Sequence, residues 1–389
     1  MKISLLLVAV GVLVAGSAAA ESDGPIKLGV LYPLTGGTAV YGVPAMEGHR
    51  MAVDELNAKG GILGRKVESF ERDEKSTPAV GSAAAKELIA KEGVTMLLGG
   101  IASSVGLAIS DVSRQEKVPY IATIPKTVQL LGEKFHPYVF RTATDTDAEG
   151  QAMAYWVKKL NLKKLCEIQL DYAYGNDLES GIDKALKAQA IDVPVVIRLK
   201  AKLGATDYNA FIPQLMSAGC DGVLSGLWGP HFMAFAQQAK PVGLFEKMKF
   251  IGGGEVGSHE IAGQLKTDYP DNVISNTYEL WYFSRDPSHK VFQAALAKRL
   301  GTEETPMWSM LAYNGVMFVA AAMEKAKSTD PDKVVAALEG LTIGTPVGPL
   351  TIDAKTHQAN IGQFWGPMAK VAGHEYREMS PIEYIQPKL

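Results

Sequence analysis

The sequence of 389 residues contains 21% charged and 47% hydrophobic residues and has a formal net charge of −3, which is typical of an ordinary globular protein. This length suggests two domains. The chain lacks the basic stripe that a nucleic-acid surface needs, so nucleic acid is not expected among its partners.

The chain begins with the features of a secretory signal peptide, residues 1–20. Lys2 gives a positive start, an apolar run extends from Ile3 to Val14, and alanines at 18 and 20 form an Ala-x-Ala cleavage site. The run is shorter than the ~20 residues that span a membrane. We therefore expect cleavage near Ala20 and export of the remaining chain to the periplasm.

Strand-like and helix-like segments then alternate in two successive arrays. The first array contains the strands "IKLGVLYPL", "KVESF", "VTMLLGG", "VPYIAT" and "YVFRT", with helices at about 44–59, 78–91 and 103–116. The second contains "KLCEIQL", "VPVVIRL", "DGVLSGL" and "MKFIGGG", with helices at about 148–160, 176–190, 208–218 and 232–239. The near-continuous apolar strands predict an α/β protein with two parallel sheets, each covered by helices on both faces.

The last third does not form a third array. A long helix is predicted at Ser309–Lys327, and the strand-like segments "VGPLTID" and "ANIGQFWGPMA" come late in the chain. This order is expected when a chain returns to domains that it has already begun. It predicts two lobes joined by crossing segments, with a cleft between them.

Motifs for catalysis, metals and cofactors are missing or weak. The seven histidines have no metal-ligand spacing, and no P-loop or G-x-S-x-G motif occurs. A lone G-x-G-x-x-G match at Gly252–Gly257 is better explained as a glycine turn after a strand. We therefore expect no cofactor, no metal and no enzymatic activity. For Cys166 and Cys220, two buried free thiols are the favoured interpretation, and a disulfide remains open if their strands are neighbours.

The loops after the strands are where a ligand is expected, because ligands of open parallel sheets lie beyond the carboxyl ends of the strands. These loops are rich in small, hydroxyl and aromatic residues. Ala102-Ser103-Ser104 is the most specific of them, since it follows a strand and opens a helix. Serine there either caps the helix or, with the free backbone N–H groups, holds a carboxylate or phosphate.

The segments "IKLGVLYPLTGGTAVYGVPAMEGHRMAVDELNAKGGILGRKV", "LLGGIASSVGLAISDVSRQEKVPYIAT", "FRTATDTDAEGQAMAYWV" and "DYAYGNDLESG" resemble the type I periplasmic binding proteins of the branched-chain amino-acid family. The resemblance implies two Rossmann-like lobes joined by hinge crossovers in a Venus-flytrap arrangement. It implies lobes at 26–145 with 278–353 and at 146–277 with 354–389. It also implies a monomer that captures a small solute and delivers it to an inner-membrane ABC permease with its ATPase subunits.

The resemblance also implies a set of ligand-binding positions. Ser103 matches the serine that holds a ligand carboxylate, and Glu255 lies at or next to the acid that holds a ligand ammonium. Trp228 stands where an aromatic residue covers the ligand. The full set of expected ligand-binding residues is Tyr41, Ala102, Ser103, Ser104, Ile124, Lys126, Thr146, Tyr174, Trp228 and Glu255.

Lys126 departs from the family pattern, in which amino-acid binders have Thr or Ser. The second expected acid falls at Thr146, with Asp145 and Asp147 beside it, and Glu255 is displaced unless a one-residue gap is allowed. A weakened ammonium site beside an added cation favours a ligand with a carboxylate and no α-amino group, such as an aromatic or aliphatic acid. Lys126 is then expected to neutralise the carboxylate that Ser103 holds. The alternatives are a branched-chain amino-acid receptor, a soluble periplasmic sensor of the same fold, and a Lys126 that only faces solvent.

Overall fold

The computed structural model describes residues 24–386, so the predicted signal peptide lies outside the described residues. The first sheet contains the strands β1 (Ile26–Tyr32), β2 (Val67–Asp73), β3 (Met96–Gly99), β4 (Tyr120–Ala122) and β5 (Val139–Arg141). These strands are all parallel and are ordered β2-β1-β3-β4-β5. This sheet is the centre of the first lobe.

The second sheet is the centre of the second lobe and is assembled from two parts of the chain. The first part supplies β6 (Leu165–Leu170), β7 (Val195–Ala201), β8 (Gly222–Ser225), β9 (Lys249–Gly252) and β10 (Val273–Thr277). After an antiparallel hairpin of β11 (Thr342–Thr345) and β12 (Gly348–Thr351), the chain adds β13 (Gln363–Lys370), β14 (Arg377–Met379) and β15 (Glu383–Ile385). The order is β14-β13-β10-β9-β8-β6-β7, with β15 also paired to β13. Strands β6 to β10 are parallel, whereas β13 is antiparallel to β10, so this sheet is mixed.

Helices cover both sheets. They are α1 (Ala39–Ala58), α2 (Pro78–Glu87), α3 (Ser103–Glu116), α4 (Thr146–Lys159), α5 (Ala173–Ala188), α6 (Ile212–Ser217), α7 (Gly229–Ala239), α8 (Leu244–Lys247), α9 (His259–Leu265), α10 (Pro287–Leu300), α11 (Trp308–Ala326) and α12 (Pro331–Leu338). Among the described residues, none of these helices has the length and apolar character that crossing a membrane would require.

The predicted two-lobe α/β fold is confirmed. Strands β3, β6 and β8 are buried along their whole length, which explains their continuous apolar runs. Helix α3 has the predicted bounds, whereas α1 begins at Ala39 instead of Pro44. The earlier start follows from Gly36, whose φ of +77° turns the chain. Thr38 then accepts the first helical bonds, from the N–H groups of Tyr41 and Gly42.

The two cysteines form a disulfide, so the expectation of free thiols is wrong. Strands β6 and β8 are direct neighbours, and Cys166 of β6 lies opposite Val223 of β8. Cys220, which precedes β8, is thereby brought to a Cα–Cα distance of 5.9 Å from Cys166, and the two sulfurs are bonded. Such a bond persists in the oxidising conditions outside the cytoplasm.

The chain passes between the two sheets three times: after β5, after β10 and before β13. After the second passage, α11 returns to the first lobe and packs along α1. The Ser309 hydroxyl donates to the Pro44 carbonyl at 2.7 Å. A Cβ on Gly48 would lie 1.9 Å from the Ser309 carbonyl oxygen, so only glycine permits this close approach.

Candidate functional site

The carboxyl ends of five strands, from both sheets, converge on one cavity. The loops after β3 and β4 of the first lobe face the loops after β6, β8 and β9 of the second. The cavity is lined by Tyr41, Ile101, Ser103, Ile124, Lys126, Tyr172, Tyr174, Trp228, Gly254, Glu255 and Trp308. This is the place at which open α/β sheets bind ligands.

Ser103 reaches the cavity because β3 ends in two glycines. Gly99 and Gly100 have φ values of +113° and +78°, and a Cβ on Gly99 would lie 2.2 Å from the Leu31 carbonyl oxygen. The chain then extends through Ala102, which gives no side-chain cap, and enters α3 at Ser103. The Ser103 Oγ accepts a hydrogen bond from the Thr127 N–H at 3.2 Å, which leaves its own proton free for another acceptor.

The loop that carries Lys126 is held against α3 and against the second lobe. Pro125 packs on Gly106 of α3, where a Cβ would lie 2.6 Å from the Pro125 Cβ. The Arg141 guanidinium donates to the Thr127 carbonyl at 2.6 Å. The Lys126 carbonyl accepts from the Thr146 N–H at 3.0 Å. These contacts fix the position of the Lys126 backbone, from which the side chain extends into the cavity.

The Lys126 side chain is buried and forms an ion pair with two carboxylates of the second lobe. Its Nζ donates to Glu149 Oε1 at 2.6 Å and also to Glu255 Oε1. It lies 5.3 Å from the centroid of the Tyr278 ring, within the range of a cation–π interaction. Lys126, expected to neutralise a ligand carboxylate, is thus paired with two acids of the chain that accept from its ammonium.

The protonation of this group is set by burial and charge together. Burial acts to lower the pKa of Lys126, but the attraction of Glu149 and Glu255 outweighs it and raises the pKa above its ordinary value, so the ammonium stays charged. Burial raises the pKa of Glu255 to about 7, opposed by Lys126 and assisted by the repulsion of Glu149. Glu255 therefore changes charge near neutral pH.

Aromatic rings from both lobes form the remaining walls. Tyr41 of the first lobe stacks on Trp228 of the second at 5.8 Å and lies 4.3 Å from the Trp308 ring. Its hydroxyl accepts from the Gly229 N–H at 2.8 Å. The Trp228 indole N–H donates to the Tyr172 hydroxyl at 2.9 Å. The indole and the phenol are thus hydrogen-bonded to protein groups while their faces remain as apolar surface.

Seven of the ten predicted positions line the cavity, namely Tyr41, Ser103, Ile124, Lys126, Tyr174, Trp228 and Glu255. The other three, Ala102, Ser104 and Thr146, lie beside it. Ala102 is the buried residue that precedes α3, and Ser104 is half-buried on the first turn of that helix. Thr146 is buried, and its backbone N–H contacts the loop of Lys126.

Two buried acids lie close to the positions at which the sequence predicts acids. Glu149 lies one helical turn after Thr146 along α4 and therefore on the same face. Glu255 has a φ of +56°, and its carboxylate accepts from Lys126. The sequence contained a sign of Glu149, because an acid three residues after Thr146 in a helix points in the same direction.

Tyr172 and Trp308 were missed among the aromatic residues. Tyr172 was overlooked beside Tyr174 in the same loop, and Trp308 comes from α11, far along the chain. Trp281 and Tyr282, two other aromatic residues late in the chain, do not line the cavity. Trp281 stacks on His374, and the Tyr282 hydroxyl accepts from the Met379 N–H.

The free volume of the cavity is about 30 Å³, whereas pockets for small organic ligands commonly enclose about 300–1,000 Å³. Contacts between the lobes surround it. Asp177 of α5 accepts from Thr127 and from Gln129 at 3.0 Å, and Tyr376 donates to Glu304 at 2.7 Å. A solute can enter only if the lobes or the cavity side chains move apart.

Comparisons with known proteins agree with this architecture. A model of the periplasmic binding protein family matches residues 25–366. The leucine-, isoleucine-, valine-, threonine- and alanine-binding protein of Pseudomonas aeruginosa is 28% identical over 331 residues, which cover 85% of this chain and 86% of that protein.

Two solved structures of solute-binding proteins of ABC transporters from Rhodopseudomonas palustris are also similar. One, from strain HaA2 in complex with p-hydroxybenzoic acid, has a TM-score of 0.83 and 26% identity and covers 93% of this chain and 98% of its own. The other, in complex with 4-hydroxybenzoate, has a TM-score of 0.82 and 25% identity, with coverages of 93% and 98%. With the family model matching most of its length, the chain belongs to the periplasmic binding protein family.

Proposed function

We propose that this protein is a periplasmic receptor that binds a small carboxylate, preferably an aromatic acid, between its lobes and delivers it to an ABC importer. The observation that carries this proposal is the cavity itself, in which Ser103 at the start of a helix faces aromatic rings from both lobes. A carboxylate and a flat apolar body are the two ligand features that such walls recognise.

Ser103 is proposed to hold the carboxylate. Its oxygen accepts a hydrogen bond from the Thr127 N–H, and its hydroxyl proton remains available for donation to a ligand. The first turn of α3 adds backbone N–H groups and the positive end of the helix dipole. Helix α3 extends over 14 residues, so its amino terminus has the full character of such a site.

The aromatic preference is supported from two sides. Tyr41, Trp228 and Trp308 form a continuous set of rings with centroids 4.3–5.8 Å apart. The two similar structures from Rhodopseudomonas palustris hold hydroxybenzoic acids. Lys126 is paired within the protein, so the carboxylate is proposed to interact with Ser103 and α3 and not directly with this ammonium.

Binding is proposed to close the two lobes about the three crossing segments, with lobe boundaries at 26–145 with 278–353 and at 146–277 with 354–389. A permease with its ATPase subunits would then recognise the closed form. The similar structures are solute-binding proteins of ABC transporters, which supports this role. The predicted signal peptide supports export, and we propose no chemical reaction on the solute.

A second candidate is a receptor for branched-chain amino acids. It is favoured by the relative from Pseudomonas aeruginosa, which binds leucine, isoleucine and valine, and by the two buried acids in the cavity. We rank it second because both acids already accept from Lys126.

A thermal-shift panel distinguishes the two candidates. The panel compares leucine, isoleucine and valine with benzoate, 4-hydroxybenzoate and aliphatic acids. A ligand at 100 times its Kd stabilises the folded state by about 2.7 kcal/mol, which gives a measurable rise in Tm. We expect shifts from aromatic acids and none from the three amino acids. Shifts from the amino acids alone would show that the second candidate is correct.

A further inference from the structure

The two buried acids of the second lobe form a recess that is shaped for one ammonium group. Glu149 and Glu255 both approach the Lys126 Nζ, and the Tyr278 ring lies 5.3 Å from it. We call this group of Glu149, Glu255 and Tyr278 the ammonium recess. Opposite charges and a ring face are the surroundings that stabilise a buried cation.

The recess is held in place by bonds that do not involve Lys126. Glu149 accepts from the Tyr174 hydroxyl at 2.9 Å and from the Asn276 amide at 2.8 Å. Glu255 accepts from the Gln363 amide at 2.6 Å, and its backbone N–H donates to Asn276 at 3.0 Å. Because these partners belong to the second lobe, the recess is expected to persist when the lysine is replaced.

Lys126, by contrast, enters the recess from the first lobe. Its backbone is anchored there by the contact of Thr127 with Ser103 and by the packing of Pro125 on α3. The ammonium is thus a part of the protein that fills an acidic recess on the wall of the solute cavity.

We propose that Lys126 is a specificity-determining residue: its tethered ammonium occupies the recess and thereby selects carboxylates without an amine over α-amino acids. This inference rests on the proposed function, since it assumes that the cavity binds a carboxylate. An amino acid would bring a second ammonium next to Lys126, where it meets like-charge repulsion and has no free carboxylate. A simple acid leaves Lys126 and its two acidic partners undisturbed.

The first test uses pairs of ligands that differ only in the amine. Phenylalanine is compared with 3-phenylpropanoate, and leucine with 4-methylpentanoate, by calorimetric titration of the wild type and of Lys126→Ala. We expect the wild type to prefer the simple acids. In Lys126→Ala the ratio of the two Kd values should move at least tenfold toward the amino acids. Lys159→Ala is the matched control, because Lys159 pairs with Glu383 away from the cavity and should leave the ratio unchanged.

The second test examines the recess without any carboxylate ligand. In Lys126→Ala, n-propylammonium has the size and charge of the deleted part of the side chain. We expect it to raise the Tm of this variant, with no effect on the wild type and no effect of 1-propanol on either protein. If Lys126→Ala does not fold, the same titrations use Lys126→Ala combined with Glu255→Gln, which removes an acid together with the lysine.

The outcomes separate this inference from the function on which it rests. If the wild type binds simple acids but the ratio in Lys126→Ala remains that of the wild type, the selectivity role of Lys126 is wrong and the proposed function stands. If n-propylammonium fails to stabilise the variant, the recess is not an ammonium site. If the wild type binds neither member of any pair and no acid of the thermal-shift panel, the proposed function fails, and the selectivity fails with it.

Discussion

At the scale of single residues, the raised pKa of Glu255 makes the ammonium recess sensitive to pH. Glu255 is buried, and its pKa rises from the ordinary value of 4.5 to about 7. Between these two values the folded protein holds a proton that the unfolded chain lacks. The stability that Glu255 contributes is therefore fully present below about pH 4.5 and is lost as the pH rises through about 7.

Glu255→Gln should flatten this part of the pH dependence. Between pH 5 and pH 8 we expect the unfolding free energy of the wild type to fall by on the order of 1–3 kcal/mol more than that of the variant, since one pKa unit corresponds to about 1.4 kcal/mol. Thermal melts at the two pH values measure this as a larger decrease in Tm for the wild type. Burial also raises the pKa of Glu74, Glu167 and Glu260 to about 7, but these residues are common to both proteins and cancel in the comparison. Parallel pH profiles would show that Glu255 does not titrate in this range.

The sequence placed Lys126 beside the cleft because residues after a parallel strand meet at one edge of its sheet. It could not identify the partners of Lys126. Glu149 is 23 positions away and Glu255 is 129 positions away, and both belong to the other lobe. Such a contact depends on how two lobes face each other, which no local spacing in the sequence encodes.

At the scale of elements, the contact between α3 and the loop after β4 sets the geometry of the site. Gly106 provides the space in which Pro125 packs, and this contact places Ser103 and Lys126 side by side. Helix α3 was predicted with correct bounds, because its first residue is a serine that comes shortly after a glycine turn. The pairing of Cys166 with Cys220 was not, since it depends on the order of strands in the second sheet.

Gly106→Ala should disturb both residues at once. Its Cβ would lie 2.6 Å from the Pro125 Cβ, so the loop must move. We expect a loss of about 1–3 kcal/mol of unfolding free energy, as for other overpacked sites, together with weaker binding of the solute. Gly344→Ala is the control, because a Cβ at Gly344 meets nothing within 4 Å. Urea denaturation and calorimetric titration of both variants measure the two effects, and equal behaviour of the variants would contradict this role of Gly106.

At the scale of the whole molecule, binding depends on the contacts that hold the two lobes together. Asp177 of the second lobe accepts hydrogen bonds from Thr127 and Gln129 of the first. Tyr41 adds a bond to Gly229 across the same boundary. The two lobes and their sheets were predicted from the order of segments, whereas these contacts came only from the structure.

Asp177→Ala should shift the protein toward an open arrangement. Because the apparent Kd rises in proportion to the loss of the binding-competent population, we expect solute binding to weaken by about 3- to 10-fold. Small-angle X-ray scattering should give a larger radius of gyration for the variant than for the wild type at equal, subsaturating solute. A radius and a Kd identical to those of the wild type would contradict a closing role for Asp177.

The measurement that tests the central claim most directly is a calorimetric titration of the acid that gives the largest thermal shift into the wild type, Ser103→Ala and Ser104→Ala. Ser103 lines the cavity and Ser104 does not, although they are adjacent on α3. A hydrogen bond to a charged group contributes about 1.5–3 kcal/mol, so we expect one site per chain, binding weakened roughly 10- to 100-fold in Ser103→Ala, and wild-type affinity in Ser104→Ala. Equal affinity of Ser103→Ala and the wild type would contradict the claim that the cavity binds a carboxylate at the start of α3.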